Sequence, residues 1–284
     1  MADAVLAPAA LAALGALLVA AALAWLVSVS RRNVTLVDSL WAPFFLLAAA
    51  AYAVVAPGPL TARGALVLLL VAIWALRLGV HLTLRNRGKA EDRRYAAMRA
   101  RHEPGFAWKS LFIVFGLQAV LAWIIAAPLF AAIAGRAPPG ALDALAAALW
   151  LTGFAFETVG DAQLARFKAD PANAGQVMDR GLWRWTRHPN YFGDACLWWG
   201  YWMFAVAAGA DDAAAAQGVR GRAAGTGHRR TAPRVPRLHR QDQRVLPVAA
   251  AIVGAAGAGA CATATTCTRV AKDASPAART FLRG

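Results

Sequence analysis

Six long apolar runs are the feature that most limits what this chain can fold into. They cover approximately residues 5–29, 39–57, 64–84, 110–134, 141–160 and 192–209. A helix needs about 20 mostly apolar residues to cross the ~30 Å hydrocarbon layer of a bilayer, and each run has or approaches that length. A helix also satisfies its backbone hydrogen bonds internally, as hydrocarbon requires. The runs therefore predict an all-α, polytopic membrane helix bundle with about six spans.

The basic residues of the connections predict how this bundle is oriented. The connections after the first, third and fifth runs contain fifteen Lys and Arg residues, whereas those after the second and fourth contain two. Cytoplasmic loops of membrane proteins carry the excess of positive charge. We therefore expect the N-terminus to lie outside and the connection that ends near residue 187 to lie at the cytoplasmic face.

The strongly basic composition does not indicate a nucleic-acid partner. The formal net charge is +15 at pH 7. Residues 1–204 account for +7 of it, which the basic connections explain, and residues 205–284 account for the other +8. The three cysteines, Cys196, Cys261 and Cys267, have neither a disulfide framework nor a zinc-ligand spacing. We expect no nucleic acid and no metal.

An eight-residue polar motif overlaps the start of the sixth run. It reads Arg187-His188-Pro189-Asn190-Tyr191-Phe192-Gly193-Asp194 and combines a cation, an imidazole, an amide, a phenol and a carboxylate. Such a cluster at a membrane surface suits a polar, anionic ligand. The alternative is an interfacial anchor, in which the motif and the tryptophans just before it hold a helix end at the headgroups. Spacing alone leaves both interpretations open.

Several charged residues lie in or beside the second and third runs, where hydrocarbon makes them costly. Asp38 opens the second run, where it either interacts with the positive end of the helix dipole or has a chemical role. Arg77, His81 and Arg85 recur every four residues, which places them on one face of the third helix. Arg85 can extend to the interface, but Arg77 lies too deep for that explanation.

Two carboxylates mark the inner end of the fifth run. Glu157 and Asp161 are one helical turn apart, so they share a face. They either form structural ion pairs with Arg166 or Arg187, or they face a cavity between the helices that opens to the cytoplasm. The sequence does not decide between these two possibilities.

Taken together, these segments resemble the steroid 5α-reductase C-terminal superfamily, in particular its bacterial branch of largely uncharacterised membrane proteins. The matching segments are Val37-Asp38-Ser39-Leu40-Trp41, Arg77-Leu78-Gly79-Val80-His81, Phe156-Glu157 through Phe167-Lys168, and Gly181-Leu182-Trp183-Arg184-Trp185-Thr186 followed by the Arg187–Asp194 motif. The resemblance covers roughly residues 33–204, and the last motif is its most specific part. A bacterial inner-membrane location is implied. Isoprenylcysteine carboxyl methyltransferases carry a related Arg-His-Pro-x-Tyr motif, so that motif alone does not separate reductase from methyltransferase.

The reductase resemblance implies an oxidoreductase that acts on CH–CH groups with NADPH. Its substrate would be a lipid-like or steroid-like enone, and an acid would activate the carbonyl oxygen. The implied acid candidates are Glu157 and Asp38, with Tyr52. The implied cofactor-binding residues are Asn190, Tyr191 and Asp194, with Arg187 and His188 near the phosphates or ribose and Trp183 beside them. Membrane lipids and the lipid-like substrate are the expected partners.

Two other functions stay open beside the reductase. In a methyltransferase, the same cavity would hold S-adenosylmethionine, with His188 or Tyr191 beside the adenosine and a lipid-like acceptor. The long connection between Asp161 and Arg180 and the Asp194 that ends the motif favour the reductase branch. The third possibility is a membrane protein without catalytic activity. The sequence predicts no particular oligomeric state.

The C-terminal part of the chain does not fit the membrane domain predicted for residues 1–204. Residues 205–284 form a basic, low-complexity tail, rich in Ala, Gly, Arg, Thr and Pro, without helical or strand periodicity. It is either a disordered segment or an artefact of a frameshift. Reading the back-translated tail one base later permits a last apolar helix and a segment ending Phe-Phe-Pro, as that branch has. We therefore expect a frameshift between Phe204 and Asp211, which would impair the enzyme.

Overall fold

The computed structural model describes the backbone of residues 2–136 and 138–225, and the side chains of residues 7–136 and 138–209. Within those residues every regular element of secondary structure is a helix. The α-helices are α1 (Ala2–Arg31), α2 (Leu36–Val55), α3 (Ala62–Asn86), α4 (Arg93–His102), α5 (Phe106–Ser110), α6 (Leu117–Ile125), α7 (Ala127–Ala134), α8 (Ala141–Ala169) and α9 (Pro189–Gly225). A π-helical turn at Leu111–Gly116 joins α5 to α6.

Among the described residues, five helical segments are long and apolar enough to cross a membrane. They are Ala7–Arg31, Leu36–Val55, Ala62–Asn86, Phe106–Ile125 and Ala141–Ala169. The predicted all-helical membrane bundle is therefore confirmed, and these segments correspond to the first five apolar runs. The sixth run, 192–209, also forms a helix within α9. As far as its side chains are described, to residue 209, that helix is not among the five.

Helices α8 and α9 pack with their backbones almost in contact, because glycines face each other across the interface. A Cβ atom added to Gly153 would lie 2.5 Å from the carbonyl oxygen of Gly193, and one added to Gly193 would lie 2.5 Å from the backbone nitrogen of Glu157. Gly160 meets Pro189, and Gly200 meets the neighbouring part of α8. Small residues allow membrane helices to approach this closely. The contact brings the Arg187–Asp194 motif against the end of α8 that carries the carboxylates.

An aromatic cluster joins α2, α3 and α9 beneath that contact. The ring of Phe45 lies 4.8 Å from Trp198 and 5.7 Å from Trp74, and the two tryptophans are 5.9 Å apart. Tyr201 continues the cluster, 5.5 Å from Trp198, and is fully buried. Aromatic pairs in such tilted and edge-on arrangements add stabilisation beyond burial alone. The cluster fixes α3 and α9 relative to each other.

A buried ion pair fixes the opposite ends of α3 and α8. Arg63 donates from Nε and Nη2 to the two carboxylate oxygens of Asp143, at 2.6 and 2.9 Å, and the two residues are 0% and 4% exposed. The Asp143 side chain also accepts a hydrogen bond from the backbone of Gly140, at 2.7 Å, and so caps α8. Asp143 therefore both starts the helix and binds a helix that begins some 80 residues earlier.

The predicted boundary after Phe204 is not a helix end, since α9 continues to Gly225. Residues 226–284 lie outside the described part of the chain, as do the side chains beyond residue 209. The division into a membrane domain and an aberrant tail, and the frameshift that would explain it, remain predictions.

Candidate functional site

Arg77 of α3 forms ion pairs with both carboxylates of α8. Its Nη1 atom lies 3.1 Å from Oε1 of Glu157, and its Nη2 atom lies 2.7 Å from Oδ2 of Asp161. Nη2 also donates to the backbone carbonyl of Glu157 at 3.1 Å. The sequence offered Arg166 or Arg187 as the structural partners of these carboxylates. The structure gives them Arg77 instead, which explains why a guanidinium lies so deep in α3.

Glu157 lies at the centre of this cluster and is 4% exposed. Its Oε2 atom accepts a hydrogen bond of 3.0 Å from the indole nitrogen of Trp74. Its backbone touches Gly193 through the close α8–α9 contact, and the carboxyl group of the next residue, Asp194, interacts with it electrostatically. Glu157 is therefore held by α3 on one side and adjoins the polar motif of α9 on the other.

Asp161 connects α3 to that motif. Its Oδ2 atom lies 3.8 Å from Nε2 of His81, in addition to its contact with Arg77. Its Oδ1 atom accepts a hydrogen bond of 3.3 Å from the side-chain amide of Asn190. The Oδ1 atom of Asn190 is itself buried and has no hydrogen-bond partner within residues 7–136 and 138–209. A buried acceptor left in this way is costly unless a ligand or water satisfies it.

The segment before α9 is fixed to α8 by two hydrogen bonds. Gln163 accepts from the backbone of Leu182 at 3.0 Å, and the indole of Trp183 donates to the carbonyl of Gly160, also at 3.0 Å. Gly181 has φ of +60°, and a Cβ there would lie 2.5 Å from the Gln163 side chain. Glycine avoids both the backbone strain and the clash. Trp183 was predicted to bind the cofactor. Its hydrogen bond to Gly160 positions the segment before α9 against α8.

The remaining motif residues lie at the solvent-accessible N-terminal end of α9. Arg187 and His188 are exposed, and Tyr191 is 38% exposed. The rings of His188 and Tyr191 lie 5.2 Å apart and are tilted by 47°. The positive end of a helix dipole and its free N–H groups favour an anion at such a position. The motif thus combines an accessible cationic side with a buried carboxylate side.

Asp38, the second acid candidate, belongs to a different cluster. It accepts a hydrogen bond of 2.6 Å from the hydroxyl of Tyr95 and one of 2.9 Å from Arg94. Burial, followed by the neighbouring Asp38 carboxylate, raises the pKa of Tyr95 above its ordinary value. Asp38 therefore joins the start of α2 to α4, and its hydrogen bonds do not connect it to Glu157.

Tyr52, the third candidate, lies at the other end of α2. It follows Asp38 by fourteen positions, which is about 21 Å along a helix. Its ring packs edge-on against Phe130 at 5.2 Å and is 3% exposed. Of the three predicted acids, the structure brings only Glu157 to the motif of α9.

Sequence reasoning missed Trp74 as a member of the site. Trp74, Arg77 and His81 are spaced i, i+3 and i+7, so they lie on one face of α3. All three side chains contact the α8 carboxylates. The i, i+7 relation of Trp74 to His81 was a usable signal, but tryptophan in an apolar run is ordinarily assigned to packing or to the interface.

Comparison with known proteins places the chain in a family. It is 27% identical over 216 residues to "Uncharacterized protein C594.04c" of Schizosaccharomyces pombe, an alignment that covers 65% of this chain and 61% of the relative. The chain thus matches less than two thirds of that protein's length. No solved structure matches the chain significantly. The family model described as "Protein of unknown function (DUF1295)" matches residues 24–219, which is more than half of the chain and includes every residue of the site. The chain belongs to this DUF1295 family of proteins.

Proposed function

We propose that this protein is a membrane-embedded, NADPH-dependent reductase of a lipid-like or steroid-like enone, as its resemblance to the steroid 5α-reductase superfamily implies. The observation that carries the proposal is the contact between Glu157 and Gly193. It joins the acid candidate, buried and hydrogen-bonded, to a motif whose other side is accessible and cationic. A reductase of this kind needs both elements next to each other.

The motif residues suit a phosphate-bearing dinucleotide. Arg187 and His188 are exposed beside the N-terminal end of a long helix, a combination that binds phosphate well. The buried Oδ1 atom of Asn190 is an unsatisfied acceptor that an amide or hydroxyl of a ligand could satisfy. When bound, NADPH would supply the hydride. Tyr191 would orient the ligand at the accessible edge of the site.

Glu157 is proposed as the proton donor to the substrate carbonyl. In the net reaction the conjugated carbon–carbon bond takes up one hydride and one proton, and the product is the saturated carbonyl compound. The guanidinium of Arg77 pairs with both Glu157 and Asp161. The carboxyl group of Asp194 also acts on Glu157, so the charges of the cluster suit a proton held there. Arg77 and Trp74 would also stabilise the carboxylate that remains after the proton leaves.

The orientation is part of this proposal. The fifteen-to-two distribution of basic residues supports an N-terminus outside and the Arg187–Asp194 motif at the cytoplasmic face of a bacterial inner membrane. NADPH is a cytoplasmic reductant, so the motif would meet it directly. The lipid-like substrate would enter from the bilayer between the helices.

Cofactor retention tests the proposal. The protein is purified in mild detergent, and mass spectrometry asks whether NADP or S-adenosylmethionine accompanies it. We expect NADP, together with saturable NADPH binding by fluorescence. Recovery of S-adenosylmethionine alone would assign the protein to the methyltransferases instead, and absence of binding to either molecule would support a non-catalytic protein.

Substitution of Glu157 tests its role separately from binding. We expect Glu157→Gln to bind NADPH like the wild type and to lose enone-dependent NADPH oxidation by about 100-fold or more, the range for loss of a general acid. Asp179→Asn, an exposed carboxylate outside the cluster, serves as the matched control. Unchanged turnover in Glu157→Gln would exclude it as the acid.

The predicted frameshift adds one comparison. If residues 205–284 replace the segment that completes the cofactor cavity, a frame-restored chain should bind NADPH more tightly than the chain as written. Equal, measurable affinity of the two would contradict an impaired site. Independent resequencing of the locus would contradict the frameshift itself if it returned an unbroken reading frame for the tail.

A further inference from the structure

A cavity lies away from the candidate site, between the C-terminal end of α1 and the start of α5. Its volume is about 410 Å³, within the ordinary range of about 300–1,000 Å³ for small-molecule sites. Span Ala7–Arg31 ends beside it and span Phe106–Ile125 begins beside it, so the cavity lies where hydrocarbon gives way to headgroups. We propose that it binds the headgroup of a membrane phospholipid that carries a phosphate diester and a primary ammonium group.

The phosphate side of the cavity is formed by Arg32 and Arg99. Arg99 lies over the ring of Phe106 at 4.6 Å. Its Nε and Nη2 atoms donate hydrogen bonds of 2.9 and 2.8 Å to the carboxylate of Glu91, which fixes the guanidinium. Within the described part of the chain, Nη1 of Arg99 forms no hydrogen bond. Arg32 also lines the cavity and is exposed. Two guanidinium groups that converge on one cavity suit a phosphate diester.

The backbone at Arg32 supports a role beyond charge. Asn33 donates to the carbonyl of Ser28 and Arg32 donates to that of Val29, at 3.1 and 3.2 Å, which is a Schellman ending of α1. Arg32 occupies its left-handed position with φ of +48°, where glycine is the favoured residue. An arginine at this position gives the cavity a cation that glycine would not supply.

The ammonium side is formed by Glu103 and two hydroxyl groups. One oxygen of Glu103 accepts from the backbone of Gly105 at 3.0 Å, which fixes the carboxylate at the cavity. Ser28 and Ser110 are each 1% exposed and donate to carbonyls of their own helices at 2.8 Å, so their oxygen lone pairs are available to accept. An ammonium has three donors and no acceptor, and this set of groups offers only acceptors to it.

The lipid-facing edge of the cavity provides a path for acyl chains. The indole of Trp25 donates to the carbonyl of Ala107 at 2.7 Å and so ties α1 to α5 beside the cavity. Trp108 packs edge-on against Trp25 at 5.8 Å and against Phe112 at 5.4 Å. Trp108 and Phe112 are 60% and 59% exposed. Exposed aromatic rings at this depth are typical of the membrane interface.

The balance of charge selects the headgroup. Glu91 is paired with Arg99, and Glu103 also acts electrostatically on Arg99. These two carboxylates accompany the two cations Arg32 and Arg99, so the cavity has no large excess of either sign. A purely anionic headgroup would leave Glu103 unpaired and repelled. A trimethylated ammonium would fill the same space without N–H donors for Glu103. Phosphatidylethanolamine satisfies both sides, so we commit to that occupant.

The experiment uses the full chain in detergent and native mass spectrometry with added short-chain lipids. We expect one equivalent of phosphatidylethanolamine to bind at least about tenfold more tightly than phosphatidylglycerol or phosphatidylcholine, the effect of one charge-assisted hydrogen bond. Equal affinity for the three lipids, or no binding of any of them, would overturn the proposal. Binding of phosphatidylglycerol in preference would also overturn it.

Two variants make the assignment specific. Arg32→Gly is expected to fold, because glycine suits the left-handed position, and to lose affinity for all phospholipids by about tenfold. Its neighbour Arg31→Gln is the matched control. Glu103→Gln is expected to keep phospholipid binding while losing the preference over phosphatidylglycerol, a change of selectivity that a structural role would not produce. Unchanged selectivity in Glu103→Gln would contradict the ammonium side of the site.

Discussion

At the scale of single residues, the charged groups in this bundle have clear structural partners. Arg77 neutralises carboxylates of α8, Arg63 binds Asp143, and Arg94 binds Asp38. Charged side chains in hydrocarbon are expected to pair or to face a cavity. Glu157 is paired with Arg77, but it also adjoins the Arg187–Asp194 motif, in which the buried Oδ1 atom of Asn190 has no hydrogen-bond partner among the described residues. A chemical role for Glu157 is therefore compatible with its ion pair. Asp143, in contrast, binds Arg63 at the start of α3 and caps the start of α8 through the backbone of Gly140, so its contacts are structural.

Breaking the Arg63–Asp143 pair is predicted to destabilise the protein strongly. Asp143→Asn should lower the free energy of unfolding by about 3–5 kcal/mol, because it leaves a fully buried guanidinium without its carboxylate. Chemical unfolding in detergent measures this. The exposed Arg136→Gln is the control and should cost less than about 1 kcal/mol. If Arg63→Met with Asp143→Leu is no more stable than Asp143→Asn alone, the uncompensated charge is not the cause.

The Glu91–Arg99 pair is predicted to make stability sensitive to acid. Burial opposes ionisation of Glu91, but hydrogen bonds from Arg99 and from the backbone of Val34 outweigh it, so the folded-state pKa lies below the ordinary value of 4.5. The pair should therefore stabilise the fold fully above pH 4.5 and lose its effect as the pH falls through the lower folded-state pKa. The melting temperature of the wild type should approach that of Glu91→Gln in this acidic range. If the difference in melting temperature between the wild type and Glu91→Gln stayed constant from pH 7 to pH 3, the prediction would be contradicted.

At the scale of elements, the α8–α9 contact decides whether the candidate site exists. Glycines at 153 and 160 of α8, and at 193 and 200 of α9, repeat at seven-residue intervals along the two helices. This spacing keeps the same helix faces in contact over two turns. The aromatic cluster of Phe45, Trp74 and Trp198 then sets α3 against the pair. The carboxylates of α8 are consequently enclosed on two sides.

Adding one methyl group at Gly193 is predicted to disrupt this contact. Gly193→Ala would place its Cβ 2.5 Å from backbone atoms of both Gly153 and Glu157, which cannot yield as a flexible side chain can. We expect a loss of about 1–3 kcal/mol of stability and a larger relative loss of the proposed NADPH-dependent activity. In Gly209→Ala, on the same helix, the new methyl meets nothing within 4 Å, so stability should stay the same or rise by up to about 1 kcal/mol. Equal stability of the two variants would show that the helices can separate freely.

At the scale of the whole molecule, the five apolar helices and the basic connections place the polar clusters at two ends of one bundle. Arg63 and Asp143 lie at the end where α3 and α8 begin, and the site and the cavity lie at the end where α1 and α3 stop. The proposed orientation assigns the second end to the cytoplasm. Both proposed ligands, NADPH and a phospholipid headgroup, would therefore bind on the same side of the membrane.

Reporter fusions test that orientation. Gly58 and Gly88 both lie in exposed turns with positive φ, so each is a suitable fusion point. Green fluorescent protein joined after Gly88 should fluoresce and alkaline phosphatase joined there should be inactive, because that end is predicted to be cytoplasmic. The pattern should reverse after Gly58. The same reporter response at both points would contradict an odd number of spans between them.

Local properties of the sequence were enough to predict the class of the molecule and the approximate extents of its membrane helices. Apolar runs are local properties, so they predicted about six spans. The structure reproduces five of them as apolar helices, with the largest differences at the C-terminal ends of the fourth and fifth runs. The sixth run was predicted as a span and is helical, but within residues 7–136 and 138–209 it is not among the helices apolar enough to cross a membrane. The motif at the start of α9 was predictable for the same reason, since all its residues are adjacent in the chain.

The tertiary structure alone decided which polar residues meet. Arg77 contacts Glu157 and Asp161, which lie 80 and 84 positions later in the sequence. Asp38 instead accepts a hydrogen bond from Tyr95. No local pattern contains this information, because helix rotation and depth are set by packing between distant segments. Here the packing depends on the close contact between the glycines of α8 and α9. The sequence shows these glycines, but only the folded structure shows that they meet. That contact turned a motif and a separate pair of carboxylates into one candidate site.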